Sequence, residues 1–334
     1  MISYKTSSIG SIEMDFASYN RAKGFAPPIE KESDIDKSSS KAIKDAKKFL
    51  SYDEISRVSI RTIIFDTNLL PLVIDSFTSK GFNFEGVIIS VNRDAIIAYF
   101  GINKPERYPP KEELDIIRRN IEDGRRFVNF SYMPTDGEYE FFTNRNLPDN
   151  LRSSAKILLK DAFGWNLDEA ESILKSNNTY IGILTKNNNA VAISAIEKVV
   201  ITLNNLKITL LELTEAYVVP SERGKGLYFH LSLNLLSSLI HEVSNDYLFI
   251  YGESNLRNRG ITRVVFSQKR LLSIDLLRNL DHYIVRDNDI PVLASHVPIK
   301  DEYSDRFKYN SLVPTSIDRK ALDKLIRSSL TRKN

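Results

Sequence analysis

Arg223-Gly224-Lys225-Gly226 stands between an apolar run that ends at Pro220 and a leucine-spaced run that opens at Leu227. Glycines in such a strand-to-helix turn let backbone N–H groups close on an anion. The helix N-terminus adds a favourable dipole worth about 0.3–1 kcal/mol, and Arg223 and Lys225 add charge. The loop is neither G-x-x-x-x-G-K-[ST] nor G-x-G-x-x-G, so neither familiar nucleotide loop is present. Just upstream, Glu212 and Glu215 are carboxylates able to take a proton. In a regular strand they point to opposite faces, with Thr214 on the face of Glu212, unless a bulge intervenes. A structural reading of the same residues stays open: the glycines then only make a tight turn, and each carboxylate only solvates a strand face. The chain has no cysteine, which excludes thiol catalysis, iron–sulfur clusters and thiolate zinc sites. His230, His241, His282 and His296 are too far apart for H-E-x-x-H, so a metal site would have to be built mainly from carboxylates, and none is expected.

The elements that must position these residues follow from periodicity. Glu138 onward predicts a short strand at Tyr139–Thr143, a helix over Asp149–Phe163 and a second helix over Leu167–Ser176. A meander follows: Tyr180–Thr185, Ala190–Leu203 and Lys207–Val219, turned by Asn187-Asn188-Asn189 and Asn204-Asn205. Leu227, Leu231, Leu235, Leu239 and Val243 then mark one face of a helix, and Tyr247–Tyr251 another strand. Earlier in the chain, Arg57–Asp66, Leu69–Lys80, Gly86–Val91 and Ala95–Gly101 predict a β-α-β-β unit, and Glu112–Asp123 an amphipathic helix. Residues 1–25 show no period, and 26–48 read as a linker leading into a short polar helix at Lys41–Leu50.

The 334 residues allow about two domains. Lys and Arg number 46 against 43 Asp and Glu, a balance that does not imply nucleic-acid binding. Arg118-Arg119, Arg125-Arg126 and Lys269-Arg270 read as surface charges. Met1-Ile2-Ser3-Tyr4-Lys5 does not open a secretory signal, and no stretch approaches 18 apolar residues, so the expectation is a cytoplasmic protein with no membrane partner.

Arg223-Gly224-Lys225-Gly226-Leu227-Tyr228, placed after a three-strand meander and before an apolar-faced helix, resembles the R/Q-x-x-G-x-G/A signature of the GNAT superfamily of acyl-CoA-dependent N-acetyltransferases. Its last position, normally Gly or Ala, is Tyr228 here. Glu212-Leu213-Thr214-Glu215-Ala216-Tyr217-Val218-Val219-Pro220 is similar to the corresponding run of the beta-lysine N-acetyltransferase branch, and Gly81–Gly101 to that branch's N-terminal extension. Gly252-Glu253-Ser254-Asn255-Leu256-Arg257-Asn258 departs from the branch pattern.

The resemblance implies an α/β protein of GNAT type, a mixed, mainly antiparallel sheet flanked by helices with an N-terminal β-α-β-β extension. Residues 1–50 would be an arm and linker, 51–135 the extension with its connecting helix, and 136–334 the catalytic domain. It implies acetyl-CoA as acyl donor, held by Tyr217, Val218, Val219, Arg223, Gly224, Lys225, Gly226, Leu227, Tyr228 and Asn255. The acceptor would be a small, amino-acid-like primary amine. Glu212, about eleven residues before Arg223, lies at the family's usual spacing for a general base, and Glu215 is the second candidate. No general acid is assigned, since Asn258 and Thr262 stand where the family has Ala and Tyr. The alternatives are an acyltransferase for a protein or aminoacyl acceptor, or a catalytically silent acyl-CoA-binding or partner-binding module.

Overall fold

RVSIRTII carries its valine and isoleucines at Val58, Ile60, Ile63 and Ile64 and its arginines at Arg57 and Arg61, and it forms strand β3 (Arg57–Ile64), buried along its whole length. A strand covered on both faces loses the polar-out alternation of a half-exposed one. One face of β3 lies under helices α1 (Ile35–Leu50) and α2 (Leu70–Ser79), where Val58, Ile60 and Ile64 join Ala42, Val73, Phe77 and Phe100. Phe77 and Phe100 stack with ring centroids 4.2 Å apart. The other face of β3 meets a second sheet. The structure, a computed structural model, describes residues 12–15, 21–53, 55–92, 94–104, 111–126, 137–203, 205–240, 247–255, 258–268, 271–272 and 312–323.

The predicted β-α-β-β unit is β3, α2, β4 (Asn83–Ile89) and β5 (Ile96–Asn103). Two further strands extend it: β1 (Ile12–Asp15) pairs antiparallel with β2 (Arg21–Phe25), and β2 runs parallel to β3, giving the order β1-β2-β3-β5-β4. The stretch expected to be a linker is instead helical from Ile35. Its serine run is held inside: Ser38 Oγ donates to the Pro27 carbonyl at 2.7 Å, and Ser39 Oγ lies 2.8 Å from Ser76 Oγ. These bonds satisfy the polar groups that make serine favour loops.

Helix α3 (Lys111–Arg126) leads to the second sheet. That sheet contains β6 (Glu140–Thr143), β7 (Thr179–Lys186), β8 (Asn189–Leu203), β9 (Leu206–Val218), β10 (Tyr247–Asn255), β11 (Leu271–Leu272) and β12 (Leu312–Ser316). Their order is β11-β12-β10-β9-β8-β7-β6, and among the described residues of this sheet only the β9–β10 pair is parallel. Asn187 and Asn188, at φ 50° and 60°, make the tight β7–β8 turn, which asparagine tolerates better than most residues. Helices α4 (Asp149–Phe163) and α5 (Leu167–Leu174) cover one face beside Ile181, Ile183 and Ile193. Gly164, left-handed at φ 71°, ends α4, and Asn166 with Glu169 caps α5. Helix α6 (Leu227–Ile240) covers the opposite face, its Leu235, Leu236 and Leu239 against Leu211, Leu213 and Ile250.

The two sheets pack face to face. Phe25, Ile63, Ile97 and Tyr99 meet Ile201, Ile208, Leu210, Phe249 and Tyr251 in one apolar layer. At its edge the Val91 N–H donates to the Leu248 carbonyl at 2.7 Å, and the Val91 carbonyl accepts from the Arg319 N–H at 2.8 Å. Helix α7 (Arg259–Ser267) docks on α3, where Asp123 accepts from both Arg259 and Arg263. Among the described residues, no helix is long and apolar enough to cross a membrane.

Candidate functional site

Strands β9 and β10 run parallel only from Ile208↔Tyr247 to Glu212↔Tyr251. Beyond that pair β9 stays with β8 as far as Val218, while β10 pairs with β12 from Tyr251 to Asn255. The two strands therefore part like a fork whose closed end is Glu212 and Tyr251. Val219 donates its N–H to the Val191 carbonyl at 2.9 Å, so Tyr217 and Val219 turn their backbone groups toward β8. Antiparallel alternation then turns the groups of Ala216 and Val218 into the fork. Of these, the Val218 carbonyl accepts from Arg223 Nε at 3.0 Å.

The β8–β9 register shifts between Ser194 and Ile196, which pair with Ala216 and Leu213, so Thr214 and Glu215 together oppose Ala195. This is the bulge that the spacing of the two glutamates left open. It brings Glu215 round to the face of Glu212, where Lys23 and Glu212 are its charged neighbours.

The two carboxylates differ in surroundings. Glu212, 7% exposed, accepts from Lys23 Nζ at 3.4 Å, Arg61 Nη1 at 3.3 Å and the Tyr251 hydroxyl at 2.9 Å. Arg61 Nη1 also donates to the Tyr251 oxygen at 2.6 Å, closing a triangle. The Arg61 guanidinium lies 4.2 Å from the Phe25 ring centroid, a cation–π contact. Burial opposes its charge, but the acidic groups around it, Glu212 and Glu253 among them, outweigh that and keep it protonated. Burial pushes the Tyr99 and Tyr251 phenols up, so both stay neutral. Glu215 has a buried Oε2 with no hydrogen-bond partner. Burial, only partly offset by Thr214 and Lys23, raises its pKa above the ordinary carboxylate value.

At the mouth of the fork, Gly224 and Gly226 take φ 83° and 70°, conformations that favour glycine. Space around a Cβ at Gly224 is open, so the backbone there is free to be approached. The first bond of α6 runs from the His230 N–H to the Gly226 carbonyl, leaving the N–H groups of Leu227 and Tyr228 without an intrahelical acceptor. Arg223 lies over the Tyr217 ring, 5.6 Å from its centroid. Lys225 Nζ bonds Glu222 at 2.6 Å and the Tyr139 hydroxyl at 3.4 Å, and Lys186 reaches Glu222 at 3.4 Å. These cations, Lys225 first, hold Glu222 down to about 2.

Leu227 is 2% exposed among Leu184, Val191 and Leu231, so only its backbone faces the loop. Tyr228 is half-buried in the first turn of α6. Asn255 ends β10 opposite Leu312, and its side chain lies outside the described residues, as do His241, His282, His296 and Lys269-Arg270. The sequence pattern passed over Arg61, Lys23 and Tyr251. Arg61 had one visible signal, a charge in the middle of an isoleucine-rich strand.

No protein-family model matches the chain, and no curated protein matches it. Several solved acetyltransferases share part of its structure. The chain is 12% identical to Arabidopsis thaliana NAA60 in complex with acetyl-CoA, covering 40% of this chain and 85% of that one, with a TM-score of 0.33. It is 19% identical to the ribosomal-protein-alanine N-acetyltransferase of Brucella melitensis, covering 34% and 80%, TM-score 0.27. It is 14% identical to an aminoglycoside acetyltransferase from an uncultured soil metagenomic sample, covering 35% and 79%, TM-score 0.27. What the site can do rests on its own residues.

Proposed function

We infer that this protein is a GNAT-type N-acetyltransferase that moves an acyl group from acetyl-CoA to a primary amine on a small, amino-acid-like molecule. The observation that carries the reading is the fork between β9 and β10, closed at Glu212 and Tyr251 and leading to the glycine loop at the start of α6. The residues suit such a donor. Gly224 and Gly226 let the loop backbone close on a pyrophosphate, with Arg223 and Lys225 adding charge. The backbone groups of Ala216 and Val218 suit an extended amide-bearing arm. Bound there, acetyl-CoA supplies an activated acyl group and a thiolate leaving group.

The chain's own part is positioning and proton removal. Holding amine and thioester together replaces a bimolecular encounter by an oriented one. An amine is an ammonium at neutral pH and must lose a proton before it reacts, and Glu212 and Glu215 place carboxylates beside the fork for that purpose. Carboxylates also favour a cationic acceptor over an anionic one. The amino-acid-like character of the acceptor follows from the likeness of Glu212–Pro220 to the beta-lysine branch.

Calorimetry with acetyl-CoA and thiol release over a panel of amines test this reading. Micromolar binding and amine-dependent release are expected. Lys225→Ala should weaken acetyl-CoA binding by about tenfold through loss of one charge-assisted phosphate contact. No binding at millimolar acetyl-CoA would overturn the reading, and binding without turnover on any amine would favour the silent module.

A further inference from the structure

Each sheet contributes to the polar group at the closed end of the fork. Lys23 comes from β2, Arg61 from β3 and Tyr99 from β5; Glu197 comes from β8 as the cross-strand partner of Glu212; Tyr251 and Glu253 come from β10. Glu212 sits inside this group with two cations and a phenol on its oxygens. A proton arriving on Glu212 would have to displace the Arg61 or Lys23 contact. Glu215 lies beyond the last β9–β10 pair, beside the open part of the fork, and its Oε2 accepts no hydrogen bond. A proton arriving on that oxygen displaces no hydrogen bond.

We propose that Glu215 takes the amine proton, and that Arg61, reaching across from the N-terminal sheet, is a positioning residue that fixes Glu212 as a permanent anion beside it. This rests on the acyltransferase reading. The acceptor R–NH3+ passes one proton to the Glu215 carboxylate and keeps the electron pair on nitrogen. That pair forms the N–C bond as the C–S bond breaks, and the nitrogen's second surplus proton leaves with the sulfur as thiol. Glu215 returns its proton to water. Arg61 and Lys23 let the glutamates share one face, because an unpaired Glu212 would repel a second carboxylate and compete for the ammonium. The N-terminal sheet is thus part of the active site.

The test uses the full-length chain. Acetyl-CoA binding is followed by calorimetry, thiol release by its pH profile, and the glutamate carboxyls by 13C NMR. Glu215→Gln is expected to lower kcat by about a hundredfold or more, the range of a lost general base, and to abolish the rise of kcat/KM with pH, while acetyl-CoA binding stays within about twofold. Glu212→Gln should keep the pH rise with a loss of about tenfold, as befits a residue that orients others. Arg61→Met should move that rise, and the NMR titration of Glu215, to higher pH, because a neighbouring cation has gone. Arg61→Lys should restore most of the wild-type profile.

A pH rise that survives Glu215→Gln and disappears in Glu212→Gln reverses the two roles and overturns the proposal. Arg61→Met that folds and leaves both the pH profile and the Glu215 titration unmoved removes Arg61 from the site. Wild-type protein without acetyl-CoA binding defeats the acyltransferase reading itself, whereas binding and turnover with an indifferent Glu215→Gln defeats only this assignment.

Discussion

Strand β3 carries two buried arginines on one face, and their surroundings differ. Arg57 is complete within its own sheet: its guanidinium meets Glu85 at 2.6 and 2.7 Å, Asn103 at 3.0 Å, and Ser59 through Nε at 3.0 Å. Arg61 bridges to the other sheet, meets Glu212 at 3.3 Å through one nitrogen, and keeps a buried Nε without a partner. A buried arginine with all three nitrogens bonded holds structure. One with an unbonded nitrogen, set at the end of an apolar layer beside an opening in the sheet, sits where a functional site needs it.

The sharpest way to break this contrast is at Arg57. Arg57→Met leaves the Glu85 carboxylate buried and alone, and chemical denaturation should show a loss of about 3–5 kcal/mol. Replacing Arg57 and Glu85 together by apolar residues should recover most of it. Next is Gly101→Ala, whose Cβ would stand 2.2 Å from Glu85 Oε1 and 2.6 Å from its Cδ. Since Arg57 clamps that carboxylate, thermal unfolding should report a cost near the top of the ~1–3 kcal/mol typical of overpacking.

Arg61→Met should cost less stability than Arg57→Met, about 1–3 kcal/mol, because Lys23 and Tyr251 still face Glu212. Its larger effect should be on the rate profile, and equal stability losses at both arginines would erase the distinction. The smallest effect is expected at the rim, where Lys225 and Tyr139 hold Glu222 below its ordinary value of 4.5, to about 2. A depressed carboxylate stabilises the fold above its unfolded pKa. That contribution is whole above pH 4.5 and is lost as the pH falls toward about 2. The melting temperature of Glu222→Gln should therefore approach that of the wild type as the pH is lowered through that window.

Much of the fold was legible because its elements bury one face or both with a clean period. The helix expected over Asp149–Phe163 is α4, and the meander's strands and asparagine turns fall within a residue or two of expectation. Strands β1 and β2 carried no such signal: RAKGF is short and half polar, and it is a strand because β3 lies beside it. The serines of α1 read as loop because their partners, Pro27 and Ser76, are supplied by tertiary contacts. At the site, the glycine loop and both glutamates were visible as residue types. The bulge was not, since nothing in LTEA distinguishes a strand with one extra residue from a regular one. The Arg61–Glu212 pair, separated by 151 positions, follows only from how two sheets pack.

Val91 joins the sheets through its backbone, its N–H on Leu248 and its carbonyl held by Arg319. Its side chain is buried too, among Leu236, Leu239 and Ile317. One amide proton therefore keeps time for the whole association. Its exchange with deuterium requires the edge of the first sheet to lift from β10, so its protection measures how often the N-terminal sheet lets go. If Arg61 acts from that sheet, the same rare opening disassembles the proposed site, and the slow exchange of a single backbone hydrogen sets a ceiling on how long the assembled pair of sheets persists between interruptions.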